Sequence, residues 1–389
     1  MINSIVKEKD ISFNRLEKEI YKAACKMACN FLSSILETMD NEISQKRDKK
    51  EYRDKGKRKT TLKTLMGEVI FSRRVYEHIN EEGKKTYVYL LDQELDFDTI
   101  GFISTNLAEK VVENACISSF RNTAKNITEL TGQSISHGGA WNIVQTLGKK
   151  IKEREEKQVE ALENNQIIGQ KEVPLLFEEA DGVYINIQGK DRPKSEKKLE
   201  MKVAVAYEEW KEVGKDKYEL VNKIACVGFE EASKFNKTKE AMIAREYNTD
   251  EIEMRILNGD GAAWIKQSID DTLHYQLDPF HKYQALVRRL QDKNKRKRIR
   301  DLLDKNKIEE ALEYIQILAD SVEDEKEEKK LRELYRYFNN NKEGLIPYQS
   351  RGLEIPEPHD KDIIYRTLGT MEHHICDIIA QRMKNSTKK

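Results

Sequence analysis

The feature that most constrains this chain is a change in hydrophobic period near residue 166. Before it, apolar residues recur at three- and four-residue steps. After it come three runs, Val173 to Gln188, Leu199 to Trp210 and Glu219 to Phe229, that are continuously apolar or alternate in twos and read as successive strands. A helix around Glu231 to Tyr247, a strand "EMRILNGDG", a helix from Ala262 to Asp270 and a strand "HYQLDPF" follow. Meandering strands that give way to alternating helix and strand predict a mixed α/β sheet with helices on its faces. From His281 to Asn339 the spacing is helical, best seen in Ile308, Ala311, Leu312, Ile315 and Leu318. Pro347, Pro356 and Pro358 mark a loop, and a last helix is expected over Asp362 to Lys384.

The front half reads differently. Residues 13–47 predict one long helix that buries the face carrying Leu16, Ile20, Ala23, Ala24, Met27, Phe31, Leu32, Ile35 and Leu36. A basic linker, Lys46 to Lys59, leads into a hairpin over Thr60 to Tyr76. Further on, a helix through Phe120 to Leu130, a break at Thr131-Gly132-Gln133 and a second helix from about Ser134 to Ile151 make a helix-turn-helix pattern. Ser134, Ser136, His137 and Asn142 would stand at the start of its second helix, where base edges are read. Two abutting helices around a glycine are also common in proteins that never touch DNA, so this motif is weak by itself. The expected divisions are residues 1–100 (helix, basic linker, small β element), 101–165 (helix-turn-helix and charged connector) and 166–389 (sheet domain, with a helical insertion at about 281–349).

With 38% hydrophobic and 35% charged residues, and no apolar run longer than stretches such as Met201 to Tyr207, nothing in the sequence calls for a membrane span. Neither a signal nor a transit peptide is visible, which predicts a cytoplasmic protein. The five cysteines are scattered and odd in number, against a disulfide framework, and Cys25 with Cys29 reads as core packing. Net charge is zero, but it is unevenly spread: Lys46 to Lys59 holds nine basic and three acidic residues, and His281 to Arg300 holds nine basic and one acidic. Lys57, Arg58 and Lys59 in the first run, and Arg288, Arg289, Lys295, Arg296 and Arg298 in the second, are candidates for phosphate contacts on duplex DNA. Either run alone is equally well read as a solvated face.

Asp181 and Asp260 each close an apolar strand and precede a glycine. For either one, turn chemistry is the simple explanation. Their shared context suggests more: on neighbouring strands, both carboxylates would emerge at one edge of the sheet. Glu372, next to Met371 on the ridge of Ile364, Leu368, Met371, Ile375 and Ile378, could lean towards the same edge. Three hard oxygen ligands converging suit Mg²⁺ or Mn²⁺, and two such ions can activate a water or a 3′-hydroxyl and stabilise the departing oxygen of a phosphodiester. No organic cofactor is called for.

The segments "EEADGVYI", "LNGDGAAWI", "DPFH" and "RTLGTMEHH" together resemble the DDE transposases of the ISLre insertion-sequence family, which are related to the mutator-like transposases. The likeness runs over nearly the whole chain. It implies an α/β ribonuclease-H-like catalytic domain with a helical insertion, preceded by a mainly α DNA-binding region with a small β element. It also implies DNA cleavage and strand transfer at element ends, with double-stranded DNA as partner and a homo-oligomer as the working form. The acidic triad is carried onto Asp181, Asp260 and Glu372, with two Mg²⁺ or Mn²⁺ ions between them, and the Asp-x-x-His step onto Asp278 and His281. His373 and His374 diverge on their helix and are given no role. Relatives of that kind continue well past the catalytic Glu, whereas this chain stops 389 − 372 = 17 residues later, so the resemblance predicts a C-terminally truncated copy whose activity is in question. Two other functions fit less of the sequence: a DNA-binding remnant or regulator without catalysis, and a ribonuclease-H-like nuclease, which has no need of a sequence-reading front half.

Overall fold

The structure is a computed structural model that describes residues 12–79, 83–95, 99–100, 102–186, 198–267, 272–358 and 363–384. It divides into two compact units that meet in sequence at Lys150 and Ile151.

In the first unit, helix α1 (Phe13–Lys46) lies on a five-stranded sheet built around the hairpin β1 (Arg53–Thr64) and β2 (Gly67–Ile79). β3 (Lys85–Val88) flanks β2, and β5 (Ile103–Ser104) and β4 (Thr99–Ile100) flank β1. The residues expected as a basic linker are largely strand: Lys57, Arg58 and Lys59 stand in β1, all exposed, paired with Arg74, Arg73 and Ser72 of β2. The buried side of α1 also overlaps the expected one only in part, with Leu36 buried and Leu32 packed against the core as expected. Cys29, Leu36 and Asp40 are buried, whereas Ile20, Met27 and Phe31 are 56, 72 and 69% exposed. Polar contacts decide this orientation. The buried Asp40 carboxylate accepts from the Arg74 N–H at 2.8 Å and from its guanidinium at 2.6 Å, and the Ser33 hydroxyl donates to the Ile70 carbonyl at 2.7 Å. Turning Ile20 and Phe31 inward would strand Asp40.

Helices α2 (Leu90–Glu94), α3 (Thr105–Ile117), α4 (Phe120–Thr131) and α5 (His137–Glu163) follow. Gly132, at φ 68°, ends α4 in the left-handed conformation that glycine adopts without strain. α5 starts three residues later than the sequence suggests, because Ser136 caps it by accepting the Gly139 N–H at 3.0 Å. It then runs without a break to Glu163, through the charged stretch from Lys149 expected as a helical connector. Leu107, Val111, Ile127, Ala140 and Ile143 form the small core between α3, α4 and α5.

The second unit is organised by a five-stranded mixed sheet of order β10-β7-β6-β11-β12. β6 (Leu175–Asn186), β7 (Lys198–Tyr207) and β10 (Ile224–Gly228) are antiparallel neighbours, and β11 (Met254–Gly259) and β12 (Leu273–Leu277) run parallel to β6. The expected strand Glu219 to Phe229 is two strands: β9 (Lys217–Leu220) pairs with β8 (Trp210–Gly214) in a second sheet, and Asn222, at φ 51°, turns the chain back to β10. The expected helix from Ala262 is the single turn α7 (Ala263–Lys266); residues 268–270 lie outside the described ones.

Both faces of the main sheet are covered. On one face Leu176, Ala180 and Leu257 meet Phe235 and Ile243 of α6 (Ala232–Glu246) and Trp264 of α7. On the other, Leu175, Phe177, Val203 and Ile256 meet Leu368, Met371 and Ile379 from the end of the chain. The first face also buries an ion network: Glu178 accepts from Lys239 at 2.6 Å and from Arg255 at 2.6 Å, and both cations reach Glu240 as well. After β12, helices α8 (Pro279–Arg289), α9 (Lys293–Asp304), α10 (Ile308–Ser321) and α11 (Glu325–Asn340) share a core of Leu286, Ile299, Leu303, Leu312, Ile315, Leu334 and Phe338.

The last helix, α12, starts at Met371 and continues with π-helical turns over Ile375–Lys384, so it is shorter than the Asp362 start predicted. Ile363 and Ile364 are not part of its apolar ridge. They form the short strand β13, paired with Lys211 and Trp210 of β8. Gly369, at φ 131°, separates strand from helix in a conformation that other residues rarely adopt. Among the described residues, no helix is long and apolar enough to cross a membrane.

Candidate active site

Parallel register brings the two aspartates together. β11 pairs with β6 from Met254↔Leu175 to Gly259↔Ala180, so Asp181 and Asp260 are each the next residue on neighbouring strands. The Asp181 side chain is only 9% exposed, and its Oδ1 accepts the Gly182 N–H at 2.7 Å. Asp260 leaves the sheet into a turn in which its Oδ1 accepts the Ala262 N–H at 2.8 Å. Gly261, at φ 92°, makes that turn, and a Cβ there would lie 2.7 Å from the Asn341 side chain.

Helix α8 delivers the histidine. Asp278 caps the helix, its Oδ1 accepting the His281 N–H at 3.1 Å, and Pro279 occupies the first turn, where a missing N–H costs nothing. His281 Nε2 then lies 3.5 Å from Asp181 Oδ2 and 3.6 Å from Glu372 Oε1. Glu372 comes from the first turn of α12. Among the described residues, the ligand atoms of Asp181, His281 and Glu372 all fall within 4.8 Å of one another. The structure therefore gathers into this group two of the three carboxylates expected to act together, Asp181 and Glu372, and the expected auxiliary His281, without Asp260.

Asp260 stands beside the group. Burial, and then the negative charge of Asp181, push its carboxyl above the ordinary value against the opposing Ala262 N–H. His281 is also shifted upward: burial opposes its charge, but the hydrogen bond to Asp181 and the charges of Asp181, Asp278 and Asp260 outweigh that penalty. Two carboxylates and an imidazole nitrogen within one ion's reach suit a divalent cation, with the nitrogen favouring Mn²⁺ over Mg²⁺ relative to an all-oxygen set. A cleft of about 190 Å³ adjoins the group, lined by Asp260, His281, Gln284, Arg288, Arg289 and Tyr337. Arg288 is exposed there, whereas Arg289 is drawn over the Tyr337 ring and towards Glu333.

The remaining candidates are spread over both units. Ser134, Ser136, His137 and Asn142 are exposed around the start of α5, but Ser134 precedes the helix and Ser136 is spent on capping it. On α9, Lys295 and Arg296 are half-buried, and the Arg298 guanidinium lies 4.2 Å from the Tyr314 ring centre.

Sequence reasoning missed Glu179, Asn258 and Thr370, which support the site from within. Glu179 is fully buried and accepts from Tyr207, Asn258, Thr370 and Met371. Its signal was present: two consecutive glutamates inside the apolar strand "LLFEEADG" must both be partnered, because an unpaired buried charge is prohibitively costly.

Residues 6–388 match the Uncharacterised protein family (UPF0236). The chain belongs to this family. It is 26% identical over 385 residues to a UPF0236 protein of Caldanaerobacter subterraneus subsp. tengcongensis, an alignment covering 97% of this chain and 74% of the relative. A second UPF0236 protein of the same organism is also 26% identical over 385 residues, covering 97% of this chain and 70% of that one. The UPF0236 protein in the vanSb 3′ region of Streptococcus gallolyticus is 27% identical over 368 residues, covering 88% and 74%. Among solved structures, a pre-cleavage Mos1 transpososome aligns with 61% of this UPF0236 chain and 78% of its own at 9% identity, with a TM-score of 0.16. A superposition that loose carries no argument about the fold or its use.

Proposed function

We propose that this UPF0236 chain is a DDE-type DNA transposase, acting by metal-dependent cleavage and strand transfer at the ends of a mobile element. One observation carries the reading: Asp181, His281 and Glu372, from a strand and two separate helices, bring their ligand atoms within 4.8 Å of one another beside Asp260. A mixed sheet covered on both faces, with helices α8 to α11 sharing one core between Asp260 and Glu372, is consistent with a ribonuclease-H-like domain carrying a helical insertion. In this reading residues 1–100 and 101–165 recognise duplex DNA and residues 166–389 cut and join it. Pairing two DNA ends takes more than one copy, so self-association belongs to the same reading.

Asp181, Asp260 and Glu372 would hold two Mg²⁺ or Mn²⁺ ions, with His281 completing the shell. When bound, such ions supply activation of a water or 3′-hydroxyl and charge stabilisation on the departing oxygen. The protein's own groups do the placing. Asp181 is fixed by its strand and by the Gly182 N–H, His281 by the Asp278 cap, and Arg288 offers a phosphate contact at the cleft. The experiment is incubation of the full chain with plasmid carrying the genomic DNA that flanks its gene, with Mn²⁺, Mg²⁺ or chelator. Metal-dependent breaks at repeated ends are expected. Binding without any cleavage in either metal would instead favour a DNA-binding regulator, and neither binding nor cleavage would sink both.

A further inference from the structure

Four residues of the candidate site come from four separate elements, yet one buried hydrogen-bonded chain runs behind all of them. Glu179 Oε2 accepts from the Thr370 N–H at 2.9 Å, the Met371 N–H at 3.0 Å and Asn258 Nδ2 at 3.0 Å; Oε1 accepts from the Thr370 hydroxyl at 2.5 Å and from Tyr207 at 2.6 Å. Asn258 Nδ2 also reaches Asp278 Oδ2 at 2.8 Å, and the other oxygen of Asp278 caps the helix that bears His281. Four members of this chain, Glu179, Asn258, Asp278 and Thr370, each stand just before a member of the site: 181 − 179 = 2, 260 − 258 = 2, 281 − 278 = 3 and 372 − 370 = 2. On β6 a step of two residues keeps Glu179 and Asp181 on the same face.

We propose that Glu179 is a positioning residue for the metal site, fixing Glu372 relative to Asp181 by holding the first N–H groups of α12 and, through Asn258 and Asp278, aligning His281 with them. This rests on the metal-site reading of Asp181, His281 and Glu372. The chemistry favours a geometric role over a merely cohesive one. Apolar residues of equal volume hold a core together at no desolvation cost, whereas a buried carboxylate is costly and yields a single defined arrangement only when all its donors are present. Glu179 has donors from β7, β11 and α12, the minimum set needed to fix a helix end against two strands. Glutamine is a poorer substitute: its oxygen can keep the two backbone N–H groups and Asn258, but its nitrogen then faces the Thr370 and Tyr207 hydroxyls, which must turn their protons away to accept from it, and the charge that strengthens every one of these bonds is gone.

The test is titration of the full-length protein with Mn²⁺, following free Mn²⁺ by its paramagnetic resonance signal, with thermal midpoints measured in parallel. Glu179→Gln is expected to weaken Mn²⁺ binding about 10- to 100-fold, the usual effect of removing a partner behind the ligands. Glu178→Gln, equally buried but on the opposite face, is expected to lower the midpoint and leave Mn²⁺ affinity unchanged. Thr370→Ser, which keeps the hydroxyl, should bind like wild type, and Thr370→Val should not. That pair decides the matter if Glu179→Gln does not fold. Wild-type affinity in folded Glu179→Gln, or equal affinity in the two Thr370 variants, overturns the proposal. No Mn²⁺ binding by the wild-type chain overturns the metal-site reading itself, a different and distinguishable failure.

Discussion

His281 Nε2 sits 3.5 Å from Asp181 Oδ2, so in the metal-free protein an imidazolium can occupy the place that a cation would take. The proton on His281 is held above its ordinary value of 6.5 because the Asp181 hydrogen bond and the surrounding carboxylates outweigh burial. The resulting stabilisation is complete below the unfolded value and is lost as pH rises through the higher folded one. A bound metal needs the neutral ring, so its affinity should rise over the same interval. Thermal midpoints and Mn²⁺ affinities between about pH 5.5 and about pH 8.5 should therefore move in opposite directions, and His281→Asn should flatten both. Profiles that already ignore pH in the wild type would remove the imidazole from the site.

Asp260 gives a second sign. Its carboxyl is pushed up by burial and then by Asp181, so the folded state grips its proton more tightly than the unfolded chain does. Stability is lost as pH rises from the unfolded to the folded value, and at neutral pH the ionised group is a net cost. Asp260→Asn should raise the metal-free stability at neutral pH by about 1 kcal/mol, the usual size when a strained functional residue is relaxed. Saturating Mg²⁺ should erase that advantage. A lowered midpoint in the metal-free variant would argue that the crowding is not felt.

Removing a ligand should silence chemistry and spare the fold. Asp181→Asn and Glu372→Gln are each expected to reduce metal-dependent DNA cleavage by about 100-fold or more while leaving DNA binding within a few-fold of wild type. Gel-based cleavage and filter binding on the same preparations separate the two. Parallel losses in both would assign these carboxylates to folding.

The exposed strand residues Lys57, Arg58 and Lys59 carry the fourth prediction. Replacing all three with Ala should weaken duplex binding and make it less dependent on salt, by about 0.9 in the log–log slope for each phosphate that is no longer neutralised. Asn142→Ala, at the start of α5, should instead change sequence preference with little effect on non-specific binding. An unchanged salt slope would mean that β1 does not meet the phosphates.

Much of this was readable from residues alone, and the failures share a cause. Strand and helix periods locate β6, β7 and β11 and mark residues 281–339 as helical, because those elements bury a regular stripe, but they do not divide that stretch into α8 to α11 or show that α8 begins at Pro279, inside the expected strand "HYQLDPF". The start of α12 was misplaced because Ile363 and Ile364 continue a helical spacing while actually pairing with β8, a strand about 150 residues away in sequence that no local period reports. The buried face of α1 is only partly legible because its apolar residues outnumber those that fit under β2: Leu36 and Leu32 pack inward as expected, and the buried Asp40 decides against Ile20, Met27 and Phe31. Asp181 is legible as a carboxylate beside a glycine in an apolar strand, although it lies inside β6 and does not close it as expected, and Glu372 as a carboxylate bordering the apolar ridge of the last helix, although it stands in that helix's first turn. Glu179 was hidden because its meaning lies in Thr370, 191 residues later.

The back-to-back glutamates of β6 also bear on how the domain finds its register. Glu178 reaches Lys239 and Arg255 on one side of the sheet, and Glu179 reaches Tyr207 and Thr370 on the other. If β6 slipped by one position, Glu179 would face the cations and Glu178 would leave the α12 N–H groups without an acceptor placed for them, while Asp181 would turn away from Asp260. Misregistered forms would thus bury mismatched charges and should be rejected during folding before any metal arrives. The strand that carries the first aspartate thereby proofreads its own alignment.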